Sequence, residues 1–381
     1  MTRPKSTLKN PFVTVGYYGP VYFCDREKET SQLKKNMLNG NSTALISVRR
    51  IGKTGLIHHL LNHIPAGWKG IYVDIQETEN LNQFLNKIST SVIQSFSEKS
   101  KPGQKIWQFI KSLRPVVSFD TLTGAPQATF EVKRHEAESN IHAILLFLEK
   151  QNSRILLAID EFQQILNYPE KNTDAWLRSK IQELNNLFFI FSGSSQHLMK
   201  DLFANPQRPF FRSTHLLKLE KLNKTAYKNF IIKMFSKYNK EIEGQIAEKI
   251  LEWTEIHTFY VQQLCNRIFS STVKKVTDES WKEQAYYLLK EQEPIFFSYR
   301  SMLTRGQWNL LKAISREHKV YHPSSKDFLS KHHLSTSASV LRSLRSLTEY
   351  DLIYSDFDEN GKVYYDVYDV YFKRWIQDKQ K

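Results

Sequence analysis

Short apolar runs alternate with helical patterns over roughly the first half of the chain. Runs typical of strands that are buried on both faces begin at Ala44, Gly70, Ile155 and Leu187. Between these runs, apolar residues recur three and four positions apart, as they do on one face of an amphipathic helix. Strands that alternate with helices predict an α/β fold, in which a parallel sheet is covered by helices on both faces.

The pattern changes at several points along the chain. Residues 98–135 contain three prolines and short β-like runs, so we expect an insertion that includes a β-hairpin. The region after residue 221 is helical in pattern and predicts a lid. The last region has three helical segments, the third capped by Ser335, followed by a hairpin, which is the winged form of a helix-turn-helix. The predicted domains are 1–220 (α/β, with 98–135 as a β insertion), 221–295 (helical lid) and 296–381 (winged helix).

Composition narrows the class of protein. The 381 residues include 40% hydrophobic and 24% charged residues, an ordinary globular balance that excludes disorder and collagen. Two cysteines are too few for a disulfide framework. No apolar run reaches the ~20 residues of a membrane helix, and the N-terminus does not resemble a signal peptide. We therefore expect a cytoplasmic protein without membrane segments, whose net charge of +15 suits a polyanionic partner.

A glycine-containing loop lies between the first apolar run and the helix after it. It ends in Gly52-Lys53-Thr54, in the strand–loop–helix setting that a phosphate-binding loop requires. Backbone N–H groups would bind phosphate, Lys53 would contact the β- and γ-phosphates, and Thr54 would bind Mg²⁺. Ser47 stands where the pattern G-x-x-x-x-G-K-[ST] has its first glycine. The predicted nucleotide-binding residues here are Ser47, Val48, Arg49, Arg50, Ile51, Gly52, Lys53, Thr54 and Gly55.

Two acids follow the buried run that begins at Ile155. An aspartate at the end of such a strand, here Asp160, can hold Mg²⁺ together with Thr54, and Glu161 can orient and polarise an attacking water. The alternative is an acidic helix cap after a core strand. The phosphate-binding loop upstream favours the catalytic interpretation, with Lys53 and Glu161 as catalytic residues.

Candidate sensors of the γ-phosphate follow the last apolar run. Ser194 and Ser195 are placed either to sense that phosphate or to cap the next helix. Arg212, after an aromatic pair, is either a solvated loop residue or an arginine finger that acts in its own chain or in a second copy. Action in a second copy would require a homo-oligomer.

Taken together, these residues resemble the archaeal-type ATPase family, among the AAA+ and STAND-like P-loop ATPases. SVRRIGKT is similar to the family's G-x-R-R-x-G-K-T, IDEFQ resembles its Walker B segment, and PFFRS its P-L-Y-G-R segment. FCDRE resembles the opening that usually lies near the adenine, so Asp25 and Arg26 become candidate adenine-site residues. The resemblance implies ATP with Mg²⁺, an ASCE-type sheet, a helical lid and often a winged-helix tail.

The charges of the C-terminal region leave its partner open. Residues 301–350 contain eight Lys or Arg against three Asp or Glu, and Arg342 and Arg345 lie near one helix face. This balance favours double-stranded DNA. The hairpin, however, is rich in acids, which favours contact with a protein. These acids are Asp356, Asp358, Glu359, Asp366 and Asp369.

We interpret the chain as a Mg²⁺-dependent ATP-binding protein and ATPase that couples nucleotide state to movement of a winged helix, which binds DNA or a protein. One alternative is a slow ATP-gated switch, in which ATP is bound tightly and hydrolysed rarely. The other is a DNA-binding regulator with a degenerate nucleotide site, for which Ser47 is the only support.

Overall fold

In the computed structural model, which describes residues 8–272 and 274–379, the chain forms two compact units. The predicted α/β domain of residues 1–220 corresponds in part to one of them. The α/β unit contains residues 26–47 and 52–220. The helical unit contains the described residues 8–25, 48–51, 221–272 and 274–379. The middle of the predicted phosphate-binding loop, Val48–Ile51, thus belongs to the helical unit.

A five-stranded parallel sheet forms the centre of the α/β unit, as predicted. The strands of the unit are β1 (Thr43–Ile46), β2 (Trp68–Asp74), β3 (Val116–Phe119), β4 (Pro126–Thr129), β5 (Arg154–Asp160), β6 (Leu187–Ser192) and β7 (His215–Lys218). Strands β3 and β4 form a separate antiparallel hairpin. The order across the sheet is β2-β5-β6-β1-β7. Because β6 lies between the strand before the loop and the strand before the acids, the sheet is of the ASCE type.

Seven helices of the α/β unit accompany these strands. They are α1 (Glu27–Leu38), α2 (Lys53–Asn62), α3 (Leu81–Ser95), α4 (Lys101–Ser112), α5 (Arg134–Glu149), α6 (Thr173–Gln182) and α7 (Gln196–Ala204). Helix α3 shows why such segments are helical: the side chain of Asn80 caps its start by accepting from the Gln83 N–H at 2.9 Å. Its apolar residues fall on one stripe, which is buried in the core.

The predicted insertion contains the expected hairpin and, in addition, a helix, α4. The sequence pattern did not predict α4. The hairpin is hydrogen-bonded to α3: the Asn86 side chain accepts from the Phe130 N–H at 2.7 Å, and the Thr90 hydroxyl accepts from the Ala128 N–H at 3.0 Å. Helix α3 therefore supports this hairpin.

Phenylalanines support the carboxyl ends of β5 and β6. The rings of Phe162 and Phe191 have centroids 4.4 Å apart, and Phe203 and Phe210 pack against both of them. All four side chains are almost fully buried. Since Phe162 directly follows the two acids predicted to be functional, this packing fixes the backbone at that edge of the sheet.

The helical unit contains eight α-helices, a short 3-10 helix (Pro20–Tyr22) and one hairpin within its described residues. The α-helices and strands are α8 (Lys224–Lys237), α9 (Gly244–Trp253), α10 (Thr258–Ser271), α11 (Asp278–Met302), α12 (Arg305–Arg316), α13 (Lys326–Lys331), α14 (Ser337–Glu349), β8 (Ile353–Phe357), β9 (Val363–Val367) and α15 (Val370–Lys379). The order α12-α13-α14-β8-β9 is the predicted winged helix, with its turn at residues 358–362. The cap of α14 is Thr336 rather than the predicted Ser335, since the Thr336 side chain accepts from the Ser339 N–H.

The predicted boundary between lid and winged helix, at residue 295, falls inside α11. This helix begins with a capping box at Thr277 and continues through Pro294 to Met302. The lid and the winged helix are therefore joined by one continuous helix. Among the residues that the structure describes, no helix has the length and apolar character needed to cross a membrane.

Candidate functional site

The loop after β1 has the geometry of a phosphate cradle. Gly52 has φ 103° and directly precedes α2, a backbone conformation that favours glycine. Lys53, the first residue of α2, is only 6% exposed, and its Nζ donates to Ser47 Oγ at 3.1 Å. The N–H groups at the start of α2 and the lysine ammonium both favour an anion at this point.

Asp160 lies at the end of β5 and accepts hydrogen bonds from several sides. Thr54 Oγ1 donates to its Oδ2 at 2.7 Å, and the Tyr72 hydroxyl donates to the same oxygen at 2.9 Å. Ser192 Oγ donates to Oδ1. The carboxylate is buried, so these donors replace the water that burial removes. The structure thus brings together Thr54 and Asp160, the two predicted metal ligands.

Tyr72 and Ser192 belong to this site, although the sequence analysis did not identify them. Burial, with the charge of Asp160 as a further cause, raises the pKa of the Tyr72 hydroxyl well above its ordinary value, so it stays protonated and donates. A signal was present in the sequence: both residues lie near the carboxyl ends of strands that pair with β5. Those ends meet at one edge of a parallel sheet.

Glu161 is held by a second set of donors. Its backbone is in the left-handed region, with φ 58°. Its Oε2 accepts from Gln163 Nε2 at 2.7 Å, from the Ser194 N–H at 3.1 Å and from Ser194 Oγ at 2.6 Å. A side chain at Gly193 would place its Cβ 2.0 Å from Gln163 Oε1, so glycine is needed there for this packing. The structure therefore joins Glu161 to the predicted sensor Ser194.

Negative charge accumulates at this edge of the sheet. Burial raises the pKa of Asp74, at the end of β2, and the charges of Asp160 and Glu161 add to this rise. Oxygen ligands next to such charge suit Mg²⁺, which prefers carboxylates, hydroxyls, phosphate oxygens and water. No cluster of three or more His, Cys, Asp or Glu with metal-binding geometry occurs in the described part of the chain. The residues present therefore fit a metal that takes its other ligands from a nucleotide and water.

Of three further predicted residues, Ser195 and Arg26 have local partners. Ser195, the cap position of α7, lies with its Oγ 3.1 Å from His197 Nδ1. Arg26 is buried, and its Nη1 contacts Glu29 Oε1 at 2.6 Å. Asp25, in the helical unit, has φ 57°. An adenine-binding role for Asp25 and Arg26 stays a prediction.

Arg212 lies at the opposite edge of the sheet. It precedes β7, whose first residue, His215, pairs with Thr43 at the amino end of β1. The phosphate-binding loop follows the carboxyl end of β1, four residues away along the strand. Since each strand residue advances about 3.3 Å, the two ends are separated by more than the length of an arginine side chain. The structure does not bring Arg212 to Lys53, so the predicted action in its own chain finds no geometric basis.

The two arginines of the loop have partners within the helical unit. Arg49 Nη2 lies 2.6 Å from Oδ2 of Asp351, which follows the end of α14 by two residues. The Arg50 guanidinium lies 4.5 Å from the centroid of the Phe259 ring and its Nη1 lies 4.0 Å from Asp369 Oδ2. Residues of the loop therefore contact the winged helix and α10.

Two family models match the chain. The model described as an ATPase domain predominantly from Archaea matches residues 23–286. A second model, described as a probable winged helix domain, matches residues 294–378. The two matches cover the P-loop sheet, the helices after it and the C-terminal winged helix.

Relatives and solved structures agree with these matches. An uncharacterized ATP-binding protein of Methanocaldococcus jannaschii is 25% identical over 299 residues, which cover 72% of this chain and 78% of the relative. A second one from that organism is 27% identical over 195 residues, 48% of each chain. The Walker-type ATPase paby2304 of Pyrococcus abyssi aligns with TM-score 0.68 at 16% identity, over 96% of this chain and 99% of its own. The Aeropyrum pernix ORC1 protein, solved in complex with DNA, aligns with TM-score 0.53 at 12% identity, over 98% and 97%. At these identities the two solved structures support the fold.

Proposed function

Since the chain belongs to the family of ATPase domains found predominantly in Archaea, we propose that it binds ATP with Mg²⁺ at the carboxyl edge of its sheet and hydrolyses it. The observation that carries this proposal is the junction of Thr54 with Asp160, 2.7 Å apart, beside the loop of Lys53. A phosphate cradle, a metal carboxylate and a second acid at one sheet edge are what phosphoryl transfer to water requires.

The roles follow from the chemistry of each group. The N–H groups at the start of α2 bind phosphate oxygens. The Lys53 ammonium leaves Ser47 Oγ and contacts the β- and γ-phosphates instead. Thr54 and Asp160 would hold Mg²⁺, which when bound would neutralise charge on the phosphates. Glu161 accepts a hydrogen bond from the attacking water and orients it, with Oε2 fixed by Ser194 and Gln163. The serine at position 47 takes part by holding the lysine, so it is no sign of a degenerate site.

Two substitutions test this proposal. Lys53→Ala should weaken ATP binding at least tenfold, as seen by titration calorimetry. Glu161→Gln should bind ATP with little change while turnover falls ~10²–10⁴-fold, the usual contribution of general base catalysis. Lys180→Ala, a surface change on α6, serves as the control for both. Normal turnover by Glu161→Gln would remove this glutamate from the mechanism.

A slow ATP-gated switch is the second candidate function. The observation that favours it is that one oxygen of Glu161 accepts all three hydrogen bonds. A carboxylate oxygen that already accepts three hydrogen bonds has little capacity left to accept another from the attacking water. Single-turnover hydrolysis distinguishes the candidates: a switch would retain ATP over many minutes, whereas an ATPase would release product in seconds.

We further propose that the winged helix binds double-stranded DNA. Arg342 and Arg345 are exposed on α14, and four of the five acids of the hairpin region serve the fold instead of forming a free surface charge. Asp358 accepts from the N–H groups of Asn360 and Lys362 in the turn, at 2.9 and 2.8 Å. Asp356 and Asp366 are buried, Asp369 accepts from the Phe372 N–H, and Glu359 is exposed at the turn. The DNA in the A. pernix ORC1 structure is in accord with this proposal.

Coupling of nucleotide state to the winged helix is proposed to run through Arg49. Its contact with Asp351 connects the loop to the end of α14. A triphosphate in the loop competes with Asp351 for this cation, so ATP binding would weaken the contact between Arg49 and Asp351. Coupling of this kind is reciprocal: ATP must change the affinity for DNA by the same factor by which DNA changes the affinity for ATP. A factor of one in both directions would contradict it.

Arg212 is proposed to act on the nucleotide of a second copy, because its position at the amino edge leaves it exposed. The proposal implies a homo-oligomer that forms when ATP is present. The mass of the particle, measured by light scattering with and without ATP, tests it: a protein that stays monomeric in both conditions excludes this role.

A further inference from the structure

A second cationic pocket lies at the amino edge of the sheet. It has a volume of about 820 Å³ and lies among the residues that precede or begin β1, β5, β6 and β7. The phosphate-binding loop and Asp160 lie at the carboxyl ends of the same strands. The pocket is therefore separated from the proposed ATP site by the length of the sheet.

The charge of this pocket has one sign. Arg154, Arg178, Arg212 and His215 line it, and none of the described lining residues is acidic. Arg154 is exposed at the start of β5 and stacks on Trp68, with 5.6 Å between its Cζ and the ring centroid. Three guanidinium groups without a carboxylate among them favour an anion, and guanidinium pairs best with carboxylate or phosphate.

Two polar atoms in the pocket lack partners. Thr214 Oγ1 and Arg178 Nε are shielded from water and make no hydrogen bond with any described residue. The other nitrogens of Arg178 donate to the Gln182 side-chain oxygen, at 2.8 and 3.1 Å, when that amide has the orientation that satisfies both of its ends. Burial lowers the pKa of Arg178. Unsatisfied buried polar atoms cost free energy, so a shift of these two side chains toward a bound oxyanion would be favoured.

Part of the pocket wall is apolar. Ile181, Leu184, Leu187 and Phe188 contribute to it, and amides of Asn39 and Asn185 lie among the lining side chains. The volume falls within the ~300–1,000 Å³ of sites that enclose a small molecule. An arginine that only reaches the terminal phosphate of another copy needs no such wall. An apolar wall, amides and guanidinium groups together suit a nucleoside with its phosphates.

We propose that this pocket is a second nucleotide site, which binds a nucleoside phosphate from solution independently of the phosphate-binding loop. Arg154, Arg178 and Thr214 contact the phosphates, and the apolar wall accommodates the nucleoside. The proposal goes beyond ATP hydrolysis, because it assigns a ligand to the edge of the sheet that carries no hydrolytic residue.

The experiment uses the full chain with Lys53→Ala, in which the phosphate-binding loop is disabled, titrated with ADP by calorimetry. We expect one remaining site, weakened at least tenfold when Arg178→Gln is added and also when Arg154→Ala is added. Lys180→Ala, which removes a charge from the same helix outside the pocket, should leave the affinity unchanged. Arg154 is exposed, so its variant tests the site even if Arg178→Gln does not fold.

Three results would overturn the proposal. The first is that Lys53→Ala protein fails to bind ADP at millimolar concentration. The second is ADP binding that is indifferent to both arginine substitutions, which would place it at residual contacts of the loop. The third concerns Lys53→Ala protein that binds no ADP alone but restores ATP turnover when it is mixed with Arg178→Gln protein. This result would show that the pocket acts on the nucleotide of another copy. Because the loop is disabled throughout, the proposed hydrolysis can fail without affecting this test.

Discussion

Thr54 donates a hydrogen bond to Asp160 at 2.7 Å, although the two residues are 106 positions apart in the chain. The contact joins the first turn of α2 to the end of β5. We expect Asp160→Asn to raise the Mg²⁺ concentration for half-maximal turnover at least tenfold, because an amide is a weaker ligand than a carboxylate.

The matched control is Tyr72→Phe, which removes one donor to Asp160 and leaves its charge intact. Its Mg²⁺ requirement should change less than that of Asp160→Asn. An unchanged Mg²⁺ titration for Asp160→Asn would show that the metal is held elsewhere. Thermal unfolding of each variant establishes that the fold is retained.

Ser194→Ala should lower kcat about tenfold and leave the affinity for ATP unchanged. The substitution removes one hydrogen bond to Glu161 Oε2, at 2.6 Å, and leaves the Ser194 N–H in place. Glu161 would then orient water less often, which affects the transition state and not the bound ground state. Ser195→Ala, whose hydroxyl contacts His197 instead, is the control. A rise in kcat for Ser194→Ala would favour the slow switch, because release of Glu161 would then activate it.

Asp351→Asn should increase the affinity for ATP several-fold and reduce the coupling between ATP and DNA toward a factor of one. The contact with Arg49 is partly exposed, so its loss should cost little stability. The measurement is the affinity for ATP with and without duplex DNA, at fixed salt. Glu349→Gln, an exposed change two residues earlier, should leave both quantities as they are in the unaltered protein. Full coupling in Asp351→Asn would exclude Arg49 as its route.

Lys373→Met should destabilise the helical unit by ~3–5 kcal/mol, the usual cost of removing one partner from buried ion pairs. Lys373 is fully buried, and its Nζ lies 2.8 Å from Glu255 and 2.7 Å from Asp366. Without the lysine Asp366 would lose its cation. Glu255 would keep the more distant Arg374 and Lys221, at 3.5 and 3.9 Å. The free energy of unfolding in urea measures the effect, and Lys379→Met, exposed on the same helix, is the control. A loss below about 1 kcal/mol would contradict this role for Lys373.

The pH dependence of stability follows from Asp366. Burial raises its pKa to about 6 from an ordinary 3.8, against the opposing charge of Lys373. A group whose pKa is higher in the folded state binds more protons there, so this group makes unfolding easier as pH rises from about 4 to 6. In Lys373→Met the carboxylates ionise less readily. The difference between Lys373→Met and the unaltered protein should therefore be smaller at pH 5 than at pH 7.

Local sequence determined much of the fold. Apolar runs between helical stripes predicted four strands of the sheet, and each is present. The edge strand β7 was missed: it has four residues, three of them exposed, and so lacks the apolar signal of a buried strand. The loop and the two acids were also predicted, because their chemistry depends on residue types at fixed spacing next to a strand end.

Tertiary structure decided which distant residues meet. Tyr72 and Ser192 reach Asp160 only because β2 and β6 flank β5, and the order of strands is not encoded in local periodicity. Because β1 and β7 run parallel, Arg212 lies at the edge of the sheet opposite Lys53. The pairing of the strands also brings three arginines into one pocket. The sequence alone thus determined the chemistry of the groups, since composition and spacing are local properties. Their partners depended on long-range strand pairing and burial, which arise only when the whole chain packs.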